Sequence, residues 1–95
     1  MTVGIFIIME EILNNIVSRI ILPKFTWIED FKWYKNYSRD SNKNYWSLKV
    51  IPVGYLNVPD AIMNTMRMDV YKEMNSLFKM LGLPENEQFH TVIVQ

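Results

Sequence analysis

The sequence predicts a single α+β domain over residues 1–95, in which two helices pack on one face of a small, three-stranded, mainly antiparallel sheet. Two stretches carry apolar residues with helical spacing, and each of them ends at a proline or a glycine. Between them, two aromatic-rich stretches alternate apolar and polar residues on either side of a polar turn. A third apolar stretch follows the second helix, so the predicted order is helix, strand, strand, helix, strand.

The first helix is predicted from Ile8 to Ile21. Its apolar residues recur at steps of three or four, so they line one side of a helix while polar residues fill the other side. Pro23 is expected to stop this helix, because proline cannot donate a backbone hydrogen bond. Residues 1–8 are uncharged and are interpreted as an extra strand or as an arm that binds a partner. This apolar run is far shorter than the roughly 20 residues that span a bilayer.

Residues 25–34 are compatible with a strand or with a helix, and their aromatic enrichment favours the strand. Apolar and polar residues alternate along this segment except at Glu29, which predicts a β-bulge there. The polar segment 36–44 has the composition of a turn. We therefore predict an antiparallel hairpin, with strands at about 24–35 and 45–56.

The second helix is predicted from Asp60 to Leu81. Asp60 follows a proline and is expected to cap the helix N-terminus. Gly82 is expected to take a left-handed conformation at the helix C-terminus, and the proline two residues later prevents continuation. The last predicted strand covers residues 88–94.

The composition excludes several kinds of protein. Ten basic residues balance ten acidic ones, so the chain lacks the overall positive charge of a protein that binds nucleic acid over its whole surface. The chain has no cysteine, which excludes disulfides and thiolate metal sites. Frequent Ile, Asn, Lys and Tyr are typical of AT-rich coding DNA, as in many low-GC bacteria and their phages, and a viral origin is a hypothesis. We expect a cytoplasmic location, or association with a virion if the protein is viral.

The predicted hairpin is the candidate binding surface. Residues 24–49 contain eight of the thirteen aromatic residues, including all three tryptophans, and six basic residues against three acidic ones. Adjacent residues of a strand point to opposite faces, so at least two of the rings in the Trp33–Tyr34 and Tyr45–Trp46 pairs should lie outside the core. Large exposed rings are typical anchors of protein interfaces. The predicted contact residues are Trp33, Tyr34, Tyr37, Tyr45 and Trp46, with Lys35 and Arg39 at a polar rim.

Two other interpretations of the hairpin remain open. It can be purely structural, with one aromatic face in the core and a solvated turn. Alternatively, its rings can stack on bases while its lysines contact phosphates, as in proteins that bind single-stranded nucleic acid. The predicted element order resembles that of type II KH domains, and this resemblance implies RNA binding through a glycine-rich loop. The chain contains no GxxG sequence, and its second predicted helix is unbroken.

No catalytic residue, metal ligand or cofactor is predicted. His90 is the single histidine and is interpreted as a structural or exposed residue of the last strand. Glu29 and Asp30 are adjacent, so they should point to opposite faces and cannot form an acid–base pair. Glu85 and Glu87 are expected to be solvated in a turn. We predict a non-enzymatic interaction or assembly module that binds another protein or a second copy of itself, without a small-molecule substrate and without membrane contact.

Overall fold

The computed structural model describes residues 2–54 and 57–95, and within these ranges it describes side chains from residue 8 onward. The predicted α+β class and the order helix, strand, strand, helix, strand are confirmed. The elements are α1 (Thr2–Ile16), a π-helical turn (Val17–Ile21), α2 (Leu22–Lys24), β1 (Ile28–Ser38), β2 (Lys43–Pro52), α3 (Asp60–Leu81) and β3 (Glu87–Val94).

The first helical stretch begins at Thr2 rather than at Ile8. The interpretation of residues 1–8 as an extra strand is therefore wrong for residues 2–8, whose backbone is helical, and Met1 lies outside the described residues. The alternative, an arm that binds a partner, stays a prediction. A short, continuous apolar run has no periodicity of its own, so its pattern cannot separate helix from strand.

The first helical stretch is π-helical rather than α-helical in the turn before Pro23. In an α-helix the proline ring would clash with the carbonyl group of Arg19, four residues earlier. The turn before the proline is π-helical, and the N–H of Leu22 donates to the carbonyl oxygen of Val17. This wider turn accommodates the proline, and the helix ends one short turn later, where Phe25 leaves the helical conformation.

The hairpin of β1 and β2 contains the predicted bulge. The two strands are antiparallel, and Ile28 pairs with Pro52 while Asp30 pairs with Ile51, so Glu29 is the extra residue. The bulge shifts the alternation by one residue. As a result, Ile28 lies on the core side of the sheet together with Phe31 and Trp33.

The bounds of the hairpin differ from the predicted ones at both ends. The segment 25–34, for which strand and helix were both open, is a strand from Ile28 onward. β2 ends at Pro52, which cannot donate to a strand ladder. Residues 55 and 56, predicted at the end of this strand, lie outside the described residues.

α3 is the predicted second helix, and it runs without interruption. Its N-cap is Pro59, and Asp60 is the first helical residue with no capping hydrogen bond from its side chain, so the predicted capping role of Asp60 is wrong. The Asp60 carboxylate still lies at the positive end of the helix dipole. Gly82 ends the helix with φ of 61° and ψ of 38°, the predicted left-handed conformation.

The sheet is mixed, because β2 pairs with β1 in antiparallel fashion and with β3 in parallel fashion. The strand order is β1-β2-β3, which places β2 in the centre. Two parallel neighbours need a crossover connection, and α3 supplies it. The antiparallel hairpin thus continues into a β2–α3–β3 unit.

The buried apolar side chains that the structure describes form one core. This core lies between the helices and one face of the sheet, and the other face is not covered by α1 or α3. The fully buried members of the core are Leu13, Val17, Ile21, Leu48, Val50, Val70, Met74 and Val92.

Candidate functional site

The alternation of β1 and β2 sorts the aromatic rings of the hairpin between the two faces of the sheet. Trp33 and Trp46 point toward the helices and are only 6% and 4% exposed. Tyr34 and Tyr45 lie on the opposite face, where Tyr34 is 41% exposed and Tyr45 is half-buried. The prediction that at least two of these four rings lie outside the core is therefore confirmed.

The two tryptophans are part of the aromatic core rather than of the surface. The ring centroid of Trp33 lies 6.4 Å from that of Trp46, 6.2 Å from that of Phe78 and 6.4 Å from that of Phe89. The prediction of Trp33 and Trp46 as contact residues is wrong, because both are buried in the core. An indole ring has more apolar area to bury than a phenol ring, so this orientation, with the tryptophans inside and the tyrosines in contact with water, is the more stable one.

A buried carboxylate holds one of these tryptophans in place. Glu87 is 6% exposed, and its Oε2 accepts a hydrogen bond from Trp46 Nε1–H at 2.6 Å. Its Oε1 accepts a hydrogen bond from the side-chain amide of Asn44 at 3.0 Å. The prediction of a solvated Glu87 in a turn is wrong, because Glu87 is the first residue of β3 and lies beside Asn44 in the ladder. Both carboxylate oxygens are bonded, as burial of such a group requires.

The face of the sheet that is not covered by the helices is the candidate functional site, and we call it the open face. Its side chains come from all three strands and are mainly polar or aromatic. They are Asp30, Lys32, Tyr34 and Asn36 from β1, Tyr45, Ser47, Lys49 and Ile51 from β2, and Thr91 and Ile93 from β3.

Two shallow depressions cross the open face. The first has a volume of about 290 Å³ and runs from Tyr34 past Lys49 to Ile93, so it touches all three strands. The second, of about 280 Å³, is lined by Asn36, Tyr45 and His90. Asn36 lines both depressions, so the two adjoin each other. His90 is exposed, in agreement with its prediction, and its ring centroid is 6.2 Å from that of Tyr45.

Lys32 and Lys49 lie directly opposite each other on the open face, and we call them the lysine pair. Like charges at opposite positions of neighbouring strands destabilise a sheet. The Lys32 ammonium lies 5.1 Å from the ring centroid of Tyr34, which is a favourable cation–π distance. Among the residues that the structure describes, the one ion pair joins Lys24 to Glu73. Asp30 lies two residues before Lys32 on the same face, but neither lysine of the pair forms an ion pair within that part of the chain. An anionic group from a partner would relieve their repulsion.

The hairpin turn is held by two tyrosines. The hydroxyl group of Tyr37 donates to Asn42 Oδ1 at 2.6 Å, and the hydroxyl oxygen of Tyr45 lies 3.3 Å from Ser41 Oγ. Asn42 has a φ of 54°, in the left-handed region that asparagine tolerates. These contacts fix the end of the hairpin that adjoins the open face.

The remaining predicted contact residues are exposed but do not lie on the open face. Tyr37 is 58% exposed and shares the helix side of β1 with Lys35. The Lys35 ammonium lies 6.0 Å from the ring centroid of Trp46. Arg39 is exposed in the turn. The structure therefore brings together Tyr34 and Tyr45 of the predicted set, and it adds the lysine pair, which sequence reasoning missed because the strand register was not known.

No family model matches the chain, and neither a curated protein nor a solved structure is found to be similar to it. Across residues 8–54 and 57–95, no three His, Cys, Asp or Glu side chains come together as the ligands of a metal ion would. Of the helices in the described ranges, none has both the length and the hydropathy of a membrane span.

Proposed function

We propose that this protein is a non-enzymatic interaction module whose open face binds another protein. One observation carries the proposal: an exposed tyrosine, Tyr34, adjoins a lysine pair that forms no ion pair within the described residues, over a depression that crosses all three strands. Tyrosine is enriched among the residues that dominate binding at protein interfaces. Its ring offers apolar area, and its hydroxyl group offers a hydrogen bond.

The lysine pair defines the chemistry of the partner. An acidic side chain between Lys32 and Lys49 would remove their mutual repulsion and form charge-assisted hydrogen bonds. Asn36, which is exposed and lines the same depression, supplies a donor and an acceptor for a polypeptide backbone. The partner is therefore a protein segment that carries at least one Asp or Glu next to an apolar residue.

The surface is ordered before binding, which lowers the conformational entropy that binding must remove. The tyrosine contacts hold the hairpin turn, and Trp46, on the reverse side of β2, is fixed by its hydrogen bond to Glu87. A buried aromatic anchor on such a surface typically contributes about 2 kcal/mol or more, which corresponds to a loss of about 30-fold in affinity when the ring is removed.

The test uses Tyr34 and a matched control on the opposite side of the molecule. A photoreactive amino acid at position 34 identifies the partner by cross-linking in cells, and the same amino acid at Met80, which is 79% exposed on α3, identifies background proteins. Calorimetry with the purified partner then compares the wild-type protein with Tyr34→Ser and Met80→Ser. We expect Tyr34→Ser to weaken binding by about 30-fold or more and Met80→Ser to leave it unchanged. Equal affinity of the wild-type protein and Tyr34→Ser would contradict the proposal.

Single-stranded nucleic acid is the second candidate, because the lysine pair and Tyr34 also suit phosphates and bases. The unbroken α3 provides no loop of the KH type, and the chain as a whole is neutral, so this candidate ranks second. Fluorescence anisotropy with labelled RNA and DNA separates the two candidates. Binding that weakens steeply with salt, and that Lys49→Gln weakens further, would favour nucleic acid over protein.

The cytoplasmic or virion location and the viral origin stay predictions from composition.

A further inference from the structure

We propose that β3 is the edge through which two copies of this chain pair, so that their sheets join into one sheet of six strands. β3 lies at one end of the strand order and pairs with β2 on its inner side. On its outer side, its backbone makes no hydrogen bond to another segment within the described residues. An unpaired strand edge of this kind is a template for another strand.

The two edges of the sheet differ in charge, and this difference selects β3. β1 carries charged residues along its length, among them Glu29, Lys32 and Lys35, and such residues protect an edge from pairing. Residues 88–95 of the other edge, QFHTVIVQ, contain no residue of fixed charge and no proline, and Glu87 before them is buried. A symmetric pairing of residues 88–95 therefore places no fixed charges opposite each other in any register, whereas β1 would bring charged side chains to the interface and would oppose like charges in some registers.

The backbone of β3 sets the register of this pairing. The N–H of Gln95 donates to the carbonyl oxygen of Val50 in β2, at 3.1 Å. Because successive N–H groups of a strand point to opposite sides, the N–H groups of Val94 and Val92 point away from β2. In an antiparallel pair, Val92 of one copy then exchanges hydrogen bonds with Val94 of the other, and Ile93 lies opposite its own copy.

This register is favoured because it covers the exposed side chain of Ile93. Ile93 is 39% exposed on the open face at the outer edge of the sheet. Pairing about Ile93 covers this side chain with the same side chain of the second copy, and a contact between two β-branched residues at opposite positions stabilises a sheet. The two open faces then become one continuous surface.

Cysteine substitutions test the register, because the chain has no cysteine of its own. In the proposed pair the two Ile93 positions form a non-hydrogen-bonded pair with Cα atoms about 4.5 Å apart, a distance that a disulfide spans. Thr91 lies opposite Gln95 of the other copy. Under mild oxidation, Ile93→Cys is expected to give a covalent dimer on a non-reducing denaturing gel, and Thr91→Cys is expected to give none. Equal cross-linking of the two variants, or none with Ile93→Cys, would overturn the register and with it the proposal.

Light scattering after size exclusion tests the pairing without a cross-link. The wild-type protein is expected to be a dimer, and Ile93→Lys is expected to dissociate it, because the new charges face each other. Ile62→Lys, at a position that is 51% exposed on α3, should stay dimeric. Tyr34→Ser should also stay dimeric, so failure of this proposal is distinct from failure of the partner-binding proposal. A monomeric wild-type protein at the concentration of the cross-linking experiment would contradict pairing between two copies. The edge of β3 would then be available only to a strand of another protein.

Discussion

Leu48→Ala is expected to lower the free energy of unfolding by about 2–5 kcal/mol. Leu48 is fully buried in the central strand, and it lies between Trp33 of β1 and Val92 of β3 in the ladder. Removing its side chain loses transfer free energy and leaves a cavity that the surrounding rings fill only in part. For a domain of this size the loss is a large fraction of the total stability.

Urea denaturation monitored by tryptophan fluorescence measures this effect, since Trp33 and Trp46 belong to the same core. Val53→Ala is the matched control, because Val53 follows β2 directly and is 62% exposed. The control should change the free energy of unfolding by less than about 0.5 kcal/mol. Similar losses for the two variants would contradict the position of Leu48 at the centre of the core.

Glu87→Ala is expected to cost roughly 2–4 kcal/mol, because it leaves two buried donors, Trp46 Nε1–H and the Asn44 amide, without their acceptor. Glu87→Gln should cost less, since the amide retains one oxygen that can accept from the indole. Glu85→Ala is the matched control at an exposed position two residues away. Thermal and urea unfolding of the three variants give the comparison.

A double-mutant cycle isolates the hydrogen bond between Glu87 and Trp46. In the Trp46→Phe background the indole donor is absent, so Glu87→Ala should cost less there than in the wild-type protein. An equal cost in both backgrounds would mean that the carboxylate does not act through the indole. A cost no larger than that of Glu85→Ala would contradict the burial of Glu87.

Much of the fold follows from local signals in the sequence. The apolar stripe of α3 and the left-handed Gly82 are determined within one or two helical turns, and the bulge at Glu29 follows from a single break in alternation. The parallel pairing of β3 could not be predicted in this way. It depends on the path that α3 takes across the sheet. The apolar pattern of β3 does not indicate whether the strand pairs in parallel or in antiparallel fashion.

The candidate site could be predicted only in part. Strand alternation alone requires that some hairpin rings lie outside the core, but it does not say which face the helices cover. The lysine pair depends on register, and a slip of one residue would move each lysine to the other face. Glu87 lies in a polar segment, and its partners Asn44 and Trp46 are 43 and 41 residues away in the chain, so no local pattern indicates its burial.

Hydroxyl-radical footprinting of the wild-type protein with residue-level mass spectrometry tests the sorting of rings between the two faces most directly. We expect fast oxidation of Tyr34 and Tyr37, and protection of Trp33 and Trp46 until the protein unfolds, although free tryptophan reacts at least as readily as tyrosine. Oxidation of Trp33 in the folded protein at the rate of Tyr34 would contradict this prediction, because the indole side of the hairpin would then face solvent and the open face would not be the tyrosine and lysine surface described above.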